Sequence, residues 1–426
     1  MKRKLLSILL SGILSLSISS SALAAVNQPD IAGTSAISID AKTGEVIYAK
    51  NQDAKAFPAS TTKLLTSIIL NENKKPSDYL YYSESAKEQP EYSFDKNIHP
   101  LNVGEKLPSD VVLKSLLMYS ANDMAYVIAA NLVNKINSPT DEVKKDFSII
   151  MNNEVKKLGL KNTHFVTPNG LHDPDHYSTA YDMSRIAKTA FSINWILKTI
   201  STQKTTVNLN DGAKPELKNT NKIIDPKEPV YDKTCIGGKT GYTNEAGRCL
   251  ITIFNRNNKK IIGVVMKSQY DKDDVQVFKD MNNLINYSYS IKPTILYHKN
   301  KVYKYETIKY RPLKYFGYYK TIKVPLVPKE DVTYYKNSFN DSEKKLTEKI
   351  SINPWNLSTD TAVGNLTLKE RDTLKQYKLY PSISTKNIMA DNKFLYSGIV
   401  VAFLAVIALL VFGLVKFFKG RNKSSW

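Results

Sequence analysis

Three short strings in this 426-residue chain carry residue types that can do nucleophilic chemistry together: Ser60-Thr61-Thr62-Lys63, Ser120-Ala121-Asn122 and Lys239-Thr240-Gly241. An alcohol is a weak nucleophile until a base takes its proton. Ser60 and Lys63 stand three apart, and that spacing puts two side chains on one face of a helix. Lys63 can act as the base only when neutral, so its pKa must fall well below the free value of about 10.4. Burial and a second nearby cation both push it that way, and Lys239 is the obvious second cation. The predicted chemistry is acyl transfer on serine, with lysine instead of histidine handling the proton. Ser120 is then expected to relay a proton between Lys63 and the departing amine. Asn122 is expected to bind a substrate amide, and Thr240 to offer its hydroxyl to a substrate carboxylate. Gly241 leaves room for a substrate backbone to lie along the strand edge. Ser60, in the first turn of a helix, keeps its own N–H free for an oxyanion.

No single string carries this reading. Ser-x-x-Lys recurs at Ser93–Lys96, Ser201–Lys204 and Ser342–Lys345, and Lys-Thr-Gly recurs at Lys42-Thr43-Gly44. Context separates them. Ser60 follows Phe57-Pro58-Ala59 and leads into Leu64, Leu65, Ile68, Ile69 and Leu70, which predicts a Pro stop and then an amphipathic helix over 60–72. Lys239 lies in a Gly-rich, strand-like segment that a short turn joins to Arg248–Ile253. The copy at Lys42 sits between two β-branched runs and predicts a hairpin turn.

The surrounding elements follow from periodicity. Strands are expected within 25–55, and 73–108 reads as irregular. Helices are expected over 110–117, from about 123 to 133, over 141–158 and over 180–191. Asn122 and Asp123 also read as helix caps. Strands should dominate from 205 to 266, with a closing helix over 275–287. Strands at both ends of a helical middle predict an α+β fold: an antiparallel sheet whose first and last parts meet, with helices packed on it. Composition shifts near 290. Residues 291–388 are rich in Tyr, Lys, Thr and Val with turn signals about every ten residues, which predicts a small all-β domain.

The ends read differently. Lys2-Arg3-Lys4, the apolar run Leu5–Ile18 and Ala22-Leu23-Ala24 predict a secretory signal peptide over 1–24. Residues 394–415 carry no charge and are long enough to cross a bilayer as one helix. Lys416, Lys419, Arg421 and Lys423 follow, so 416–426 is expected to be a short basic cytoplasmic tail. The main body, 25–290 with its all-β appendage, is expected on the extracytoplasmic side of the cell membrane. Net charge is +20. Outside the membrane this suits an anionic envelope or lipid surface and makes nucleic acid a poor partner. The two cysteines, Cys235 and Cys249, flank a turn between strands; sequence leaves open whether they pair or stay free. His172 and His176 with Asp173 and Asp175 invite a metal reading, but Pro174 breaks any helical presentation. No metal and no cofactor is expected.

The chain resembles the low-molecular-weight penicillin-binding proteins, serine-type D-alanyl-D-alanine carboxypeptidases of the peptidase S11 type. The resemblance rests on Phe57–Lys63, Asn169-Gly170-Leu171-His172-Asp173, Ser178–Met183 and Gly238–Thr243, and covers about residues 30–290. It implies the penicillin-binding protein/β-lactamase-like transpeptidase fold. It implies a substrate, the peptidoglycan stem peptide ending in D-Ala-D-Ala, and inhibition by β-lactam antibiotics. It implies Ser60 as nucleophile, the N–H of Tyr242 as a second oxyanion donor, and Lys239 with Thr240 at the substrate carboxylate. The chain departs from the pattern in two places. Met266–Asp274 holds Lys267 and Lys272 but no arginine, so a second carboxylate contact is unassigned. A full span stands where relatives often have an amphipathic anchor. Two other readings compete: a serine β-lactamase, and a non-catalytic cell-wall binding or scaffold protein. The first needs a deacylating glutamate, for which 158–173 offers no convincing equivalent. The second leaves Ser60, Lys63 and Lys239 without a purpose.

Overall fold

The computed structural model describes residues 28–421; the expected signal peptide and the end of the basic tail lie outside them. The first sheet contains β1 (Ser35–Asp40), β2 (Val46–Lys50), β3 (Cys235–Thr243), β4 (Gly247–Arg256) and β5 (Lys259–Ser268), in the spatial order β2-β1-β5-β4-β3. Every pairing is antiparallel. The expected meeting of first and last parts is the β1–β5 ladder, in which Ile37 faces Val264 and Ile39 faces Ile262.

Alternation along these strands feeds two cores. Cys249, Ile251 and Ile253 of β4 and Ile262, Val264 and Met266 of β5 join the helical side, while Leu250, Phe254, Ile261 and Val265 face the other way. The second face is covered by the closing helix Gln276–Ser290 through Met281, Leu284 and Ile285. Gly263 is needed there, because a Cβ would meet Met281 Sδ at 2.5 Å.

On the helical side stand α1 (Lys63–Asn73), α2 (Asn122–Leu132), α3 (Thr140–Lys157) and α4 (Ala180–Ser192). α1 and α2 are buried nearly all round. Every residue from Lys63 to Leu70 and from Asn122 to Ala130 is shielded from water. A helix with no polar face belongs in a core; these two therefore form the centre, and what they carry at their N-termini is carried into the interior.

The differences from the sequence expectation have local causes. A 3-10 turn, Ala59–Thr62, precedes α1, so Ser60 sits in that turn and not in the α-helix. The helix expected over 110–117 is α-helical over Ser109–Lys114 and then widens to a π-helix, Ser115–Tyr119. Strands do not dominate from 205: only Lys204–Thr206 and Glu216–Lys218 pair before β3 begins. Gly, Pro and Asn in that stretch punctuate the chain into turns. Cys235 lies opposite Phe254, Cys249 lies opposite Gly241, and both thiols are free.

Beyond 290 lies a second antiparallel sheet of β6 (Lys304–Tyr310), β7 (Lys320–Pro328), β8 (Lys344–Ile350), β9 (Gly364–Glu370) and β10 (Thr373–Pro381), in the order β6-β7-β10-β9-β8. Val324, Leu326, Leu366, Leu368 and Leu379 make its core. Its β9–β10 turn docks on the first body. Arg371 holds Asp53 with both terminal nitrogens and also binds Glu343, Tyr181 donates to Asp372, and Lys375 bridges to Glu45. Finally Lys393–Arg421 is one helix, α5 in neither core, apolar and long enough to cross a membrane.

Glu370 stands out in the docking region: it is 4% exposed, with neither carboxylate oxygen hydrogen-bonded. Burial first, and then the nearby Glu45, push its pKa up to about 7, against the opposing pull of Lys375 and Lys344. A carboxyl whose folded pKa is raised stabilises fully below its unfolded value, and that stability is lost as pH rises through about 7. Glu370→Gln is therefore expected to melt a few degrees above the parent at pH 8.5 and level with it at pH 5, by calorimetry. An equal difference at both pH values would refute the ionisation account.

Candidate active site

The N-terminus of α1, the end of the π-helix and the edge strand β3 converge. Lys63 opens α1 and is wholly buried. Its Nζ lies 2.7 Å from Ser60 Oγ, 2.9 Å from Asn122 Oδ1 and 2.8 Å from the backbone carbonyl of Asn169. As an ammonium, Lys63 donates to all three. As a neutral amine it has two hydrogens and one lone pair. The two carbonyl oxygens can only accept, so they take the two hydrogens. The lone pair then faces the Ser60 hydroxyl, the one partner that can donate. The neighbours satisfy either form, and in the neutral one the lone pair is aimed at the nucleophile.

The energetics agree. The Lys63 pKa is held well below its ordinary value, first by burial and second by the charge of Lys239, with Asp123 pulling weakly the other way. Asp123 is committed elsewhere: it accepts from the backbone N–H groups of Phe94, Asp95 and Met124 and from the Tyr82 hydroxyl. It anchors a neighbouring helix start at Phe94 and Asp95 as well as one first-turn N–H of its own helix, and is not the N-cap, which is Ala121.

Lys239 is also fully buried, on the face of β3 that looks toward the helices. Its Nζ donates to Ser120 Oγ at 2.8 Å and to the Thr240 carbonyl at 2.8 Å. Burial pulls its pKa down to about 7. The Lys239 charge is itself one of the causes that hold the Lys63 pKa down, so a proton on Lys239 disfavours one on Lys63. Ser120 is held in the left-handed region, φ 73°, at the end of the π-helix. The hydroxyl expected to contact Lys63 is bonded to Lys239 instead. Asn122 uses its carbonyl on Lys63 and one amide hydrogen on the Glu91 carbonyl; it is not a helix cap, and one amide hydrogen remains uncommitted.

On β3, Thr240 Oγ1 shares a hydrogen bond with Thr220 Oγ1 at 2.6 Å. Gly241 is needed for close approach: a Cβ there would lie 3.0 Å from the Ser60 nitrogen and 3.1 Å from the Pro58 carbonyl. The strand therefore lies directly against the turn that carries Ser60. Tyr242 is 41% exposed at the rim. β3 ends the sheet order, so one of its edges is free of any strand.

Sequence reasoning missed three contributors. The Asn169 carbonyl is a backbone group, with no side-chain signature, although Asn169-Gly170 was legible as a motif. Gly170 has φ +81°, and a Cβ there would come within 2.0 Å of the Ala59 carbonyl, so the loop and the Ser60 turn touch backbone to backbone. His176 secures the loop. Its Nδ1 accepts from the N–H groups of Val166 and Thr167, so Nε2 carries the hydrogen and donates to Thr62 Oγ1 at 2.9 Å. Burial lowers its pKa to about 3, and both nitrogens are committed to protein. Arg248 is the third. It faces Tyr242 across the β3–β4 ladder, stacks on Tyr242 and Tyr270, and pairs with Asp274 at 2.5 Å.

A serine whose hydroxyl meets a buried amine, beside a second buried lysine on an edge strand, defines a serine acyl-transfer enzyme. The family model for D-alanyl-D-alanine carboxypeptidase (peptidase S11) matches residues 22–270. The D-alanyl-D-alanine carboxypeptidase DacF of Bacillus subtilis is 31% identical over 86% of this chain and 90% of its own length. DacD of Escherichia coli is 25% identical over 86% of this chain and 89% of its own. The crystal structure of the Streptomyces K15 DD-transpeptidase superposes with a TM-score of 0.54 at 25% identity, covering 62% of this chain and all of the other. This chain belongs to the peptidase S11 family of serine-type D-alanyl-D-alanine carboxypeptidases.

Gly170→Ala tests the loop contact. The clash and the positive φ are expected to cost about 1–3 kcal/mol, read as a lower urea midpoint with an unchanged slope.

Proposed function

We propose that this enzyme removes the terminal D-alanine from peptidoglycan stem pentapeptides, with Ser60 as nucleophile and Lys63 as its general base. One observation carries the assignment: a buried amine with two carbonyl acceptors has only its lone pair left for the Ser60 hydroxyl. Lys63 takes the hydroxyl proton as Ser60 Oγ attacks the penultimate carbonyl. The tetrahedral oxygen is received by the N–H groups of Ser60 and Tyr242, which the approach at Gly241 brings to adjoining backbones. The Lys239–Ser120 pair protonates the departing D-alanine amine. The proton held by Lys63 returns through solvent to the Lys239–Ser120 pair. Water then hydrolyses the ester: Lys63 takes a proton from the attacking water and gives it to Ser60 Oγ as the ester C–O bond breaks.

The substrate backbone lies along the free edge of β3 in the manner of an added strand. Its terminal carboxylate meets the Lys239 ammonium and the Thr240 hydroxyl. Arg248, one ladder position from that end of β3, is the second basic group that Met266–Asp274 fails to supply. The remaining Asn122 amide hydrogen is offered to a substrate carbonyl. β-Lactams acylate the same serine because their ring carbonyl mimics the scissile amide. The apolar helix tethers the enzyme to the cell membrane as a single pass, with residues 25–388 on the extracytoplasmic side.

Mass spectrometry of the protein after penicillin is expected to map one adduct to the peptide holding Ser60, and the same preparation is expected to release D-alanine from a pentapeptide. An adduct elsewhere would overturn the assignment. Lys63→Arg keeps the charge but cannot supply a neutral amine; acylation is expected to fall by roughly 10²–10⁴-fold, and normal labelling would remove Lys63 from its role. The Lys239 proton sets a further expectation. As pH rises through about 7 the ammonium is lost, carboxylate binding weakens, and kcat/KM falls. In Lys239→Arg, which stays charged, this alkaline limb should move to higher pH at a lower plateau. A limb that stays near 7 would mean another group controls it.

A further inference from the structure

The turn between β6 and β7, residues 311–320, is the most apolar exposed surface of the all-β domain. Its sequence is Arg311-Pro312-Leu313-Lys314-Tyr315-Phe316-Gly317-Tyr318-Tyr319-Lys320. Tyr315, Phe316, Tyr318 and Tyr319 are 66%, 72%, 60% and 62% exposed. Four adjacent aromatic rings in water are costly unless something covers them. The turn is nevertheless well built. Leu313 and Phe316 form a bridge, Gly317 has φ 85°, and Arg311 binds the Tyr315 carbonyl while stacking on Tyr319. It is an ordered projection with an apolar tip.

Its position identifies the occupant. Tyr396, in the first turn of the apolar helix, donates to the Pro312 carbonyl at 2.8 Å. Asn392, just before that helix, is buried; it donates to the Tyr310 hydroxyl and accepts from Lys320. Both sides of the turn are thus tied to the point where the helix begins. The uncharged stretch starts at Phe394, and its 22 residues rise about 33 Å, the depth of a bilayer hydrocarbon core. The turn is therefore level with the upper boundary of that core. Tyrosines favour this layer, with ring in the acyl region and hydroxyl in the headgroups. Arg311, Lys314 and Lys320 provide cations for anionic headgroups, and the segment holds no acid.

We infer that the 311–320 turn inserts its aromatic tip into the headgroup–acyl boundary of an anionic phospholipid bilayer, making a second membrane contact beside the helix. The inference rests on the single-pass reading. Two contacts fix an orientation where one tether allows swivelling. The all-β domain stands on the membrane, and through Arg371 and Lys375 it sets the height and tilt of the catalytic body.

The test uses the full chain in nanodiscs of phosphatidylcholine and phosphatidylglycerol. An environment-sensitive fluorophore is attached to Tyr318→Cys, to Leu404→Cys in the helix and to Leu374→Cys on a distant part of the same domain. Cys249 is buried and Cys235 half-buried, with pKa values raised to about 11 and about 12, and the parent serves as the blank. The expected result is a blue-shifted signal at 318, quenched by lipids spin-labelled near the headgroup, with 404 quenched by deep labels and 374 water-like. Replacing Arg311, Lys314 and Lys320 by Gln should weaken the quenching at 318. A lipid-buried 404 with a water-like 318 would overturn the turn's role and leave the span intact. If 404 is also water-like, the span fails and the proposal with it. A concentration-dependent shift at 318 without lipid quenching would assign the patch to a second protein copy, again overturning it.

Discussion

The buried amine of Lys63 is the constraint around which this molecule is arranged. A lysine in water keeps its proton far above neutral pH. To lose it the side chain must leave water, and a helix buried on all sides takes it there. α1 is such a helix. Burial alone would strand the N–H groups, so two carbonyl oxygens must come to meet them. One is a side chain at the start of α2; the other is the backbone of Asn169. The 164–178 loop, with its left-handed Gly170 against Ala59 and its neutral His176 against Thr62, holds that second acceptor in place. Helix, loop and histidine serve one lone pair.

The sheet makes the complementary contribution. Lys239 occupies an inward position of β3, and the next inward position must be glycine for the strand to reach the Ser60 turn. Both lysines are therefore placed by the two-residue alternation of one strand and by the first residue of one helix. Such positions are set by rigid elements and not by flexible loops. Strained backbone lies directly beside the chemistry, with Ala59 at φ 46° and Ser120 at φ 73°. With Ser120 bonded to Lys239, the amine that meets the Ser60 hydroxyl and the amine that meets the Ser120 hydroxyl are separate.

Much of this was legible in the sequence because it is local. The Ser60–Lys63 spacing, the apolar run after it, the alternating strands and the inward Lys239 all write their geometry in side-chain type. The β1–β5 closure was readable from strands at both ends of a helical middle. The unreadable parts have equally physical reasons. A backbone carbonyl such as that of Asn169 has no residue identity to betray it. The bond from Ser120 to Lys239 depends on the π-helical widening, which needs the tertiary packing. Asn122 and Asp123 favour caps by type, but partners from elsewhere claimed Asn122 and most of the Asp123 carboxylate. Arg248 stands in a different strand from the segment where an arginine was sought, and only the ladder register brings it to Tyr242.

The ladder between Ser35–Asp40 and Lys259–Ser268 also governs how the polypeptide reaches this form. The amino-terminal hairpin is made early but cannot be sealed until more than half the chain has been produced. Pairing at such sequence separation is slow, since the intervening loop must be closed before any contact rewards it. Until then an apolar strand edge waits unpaired, so the nascent molecule passes through a window in which it depends on holding factors or on its own charge to escape aggregation.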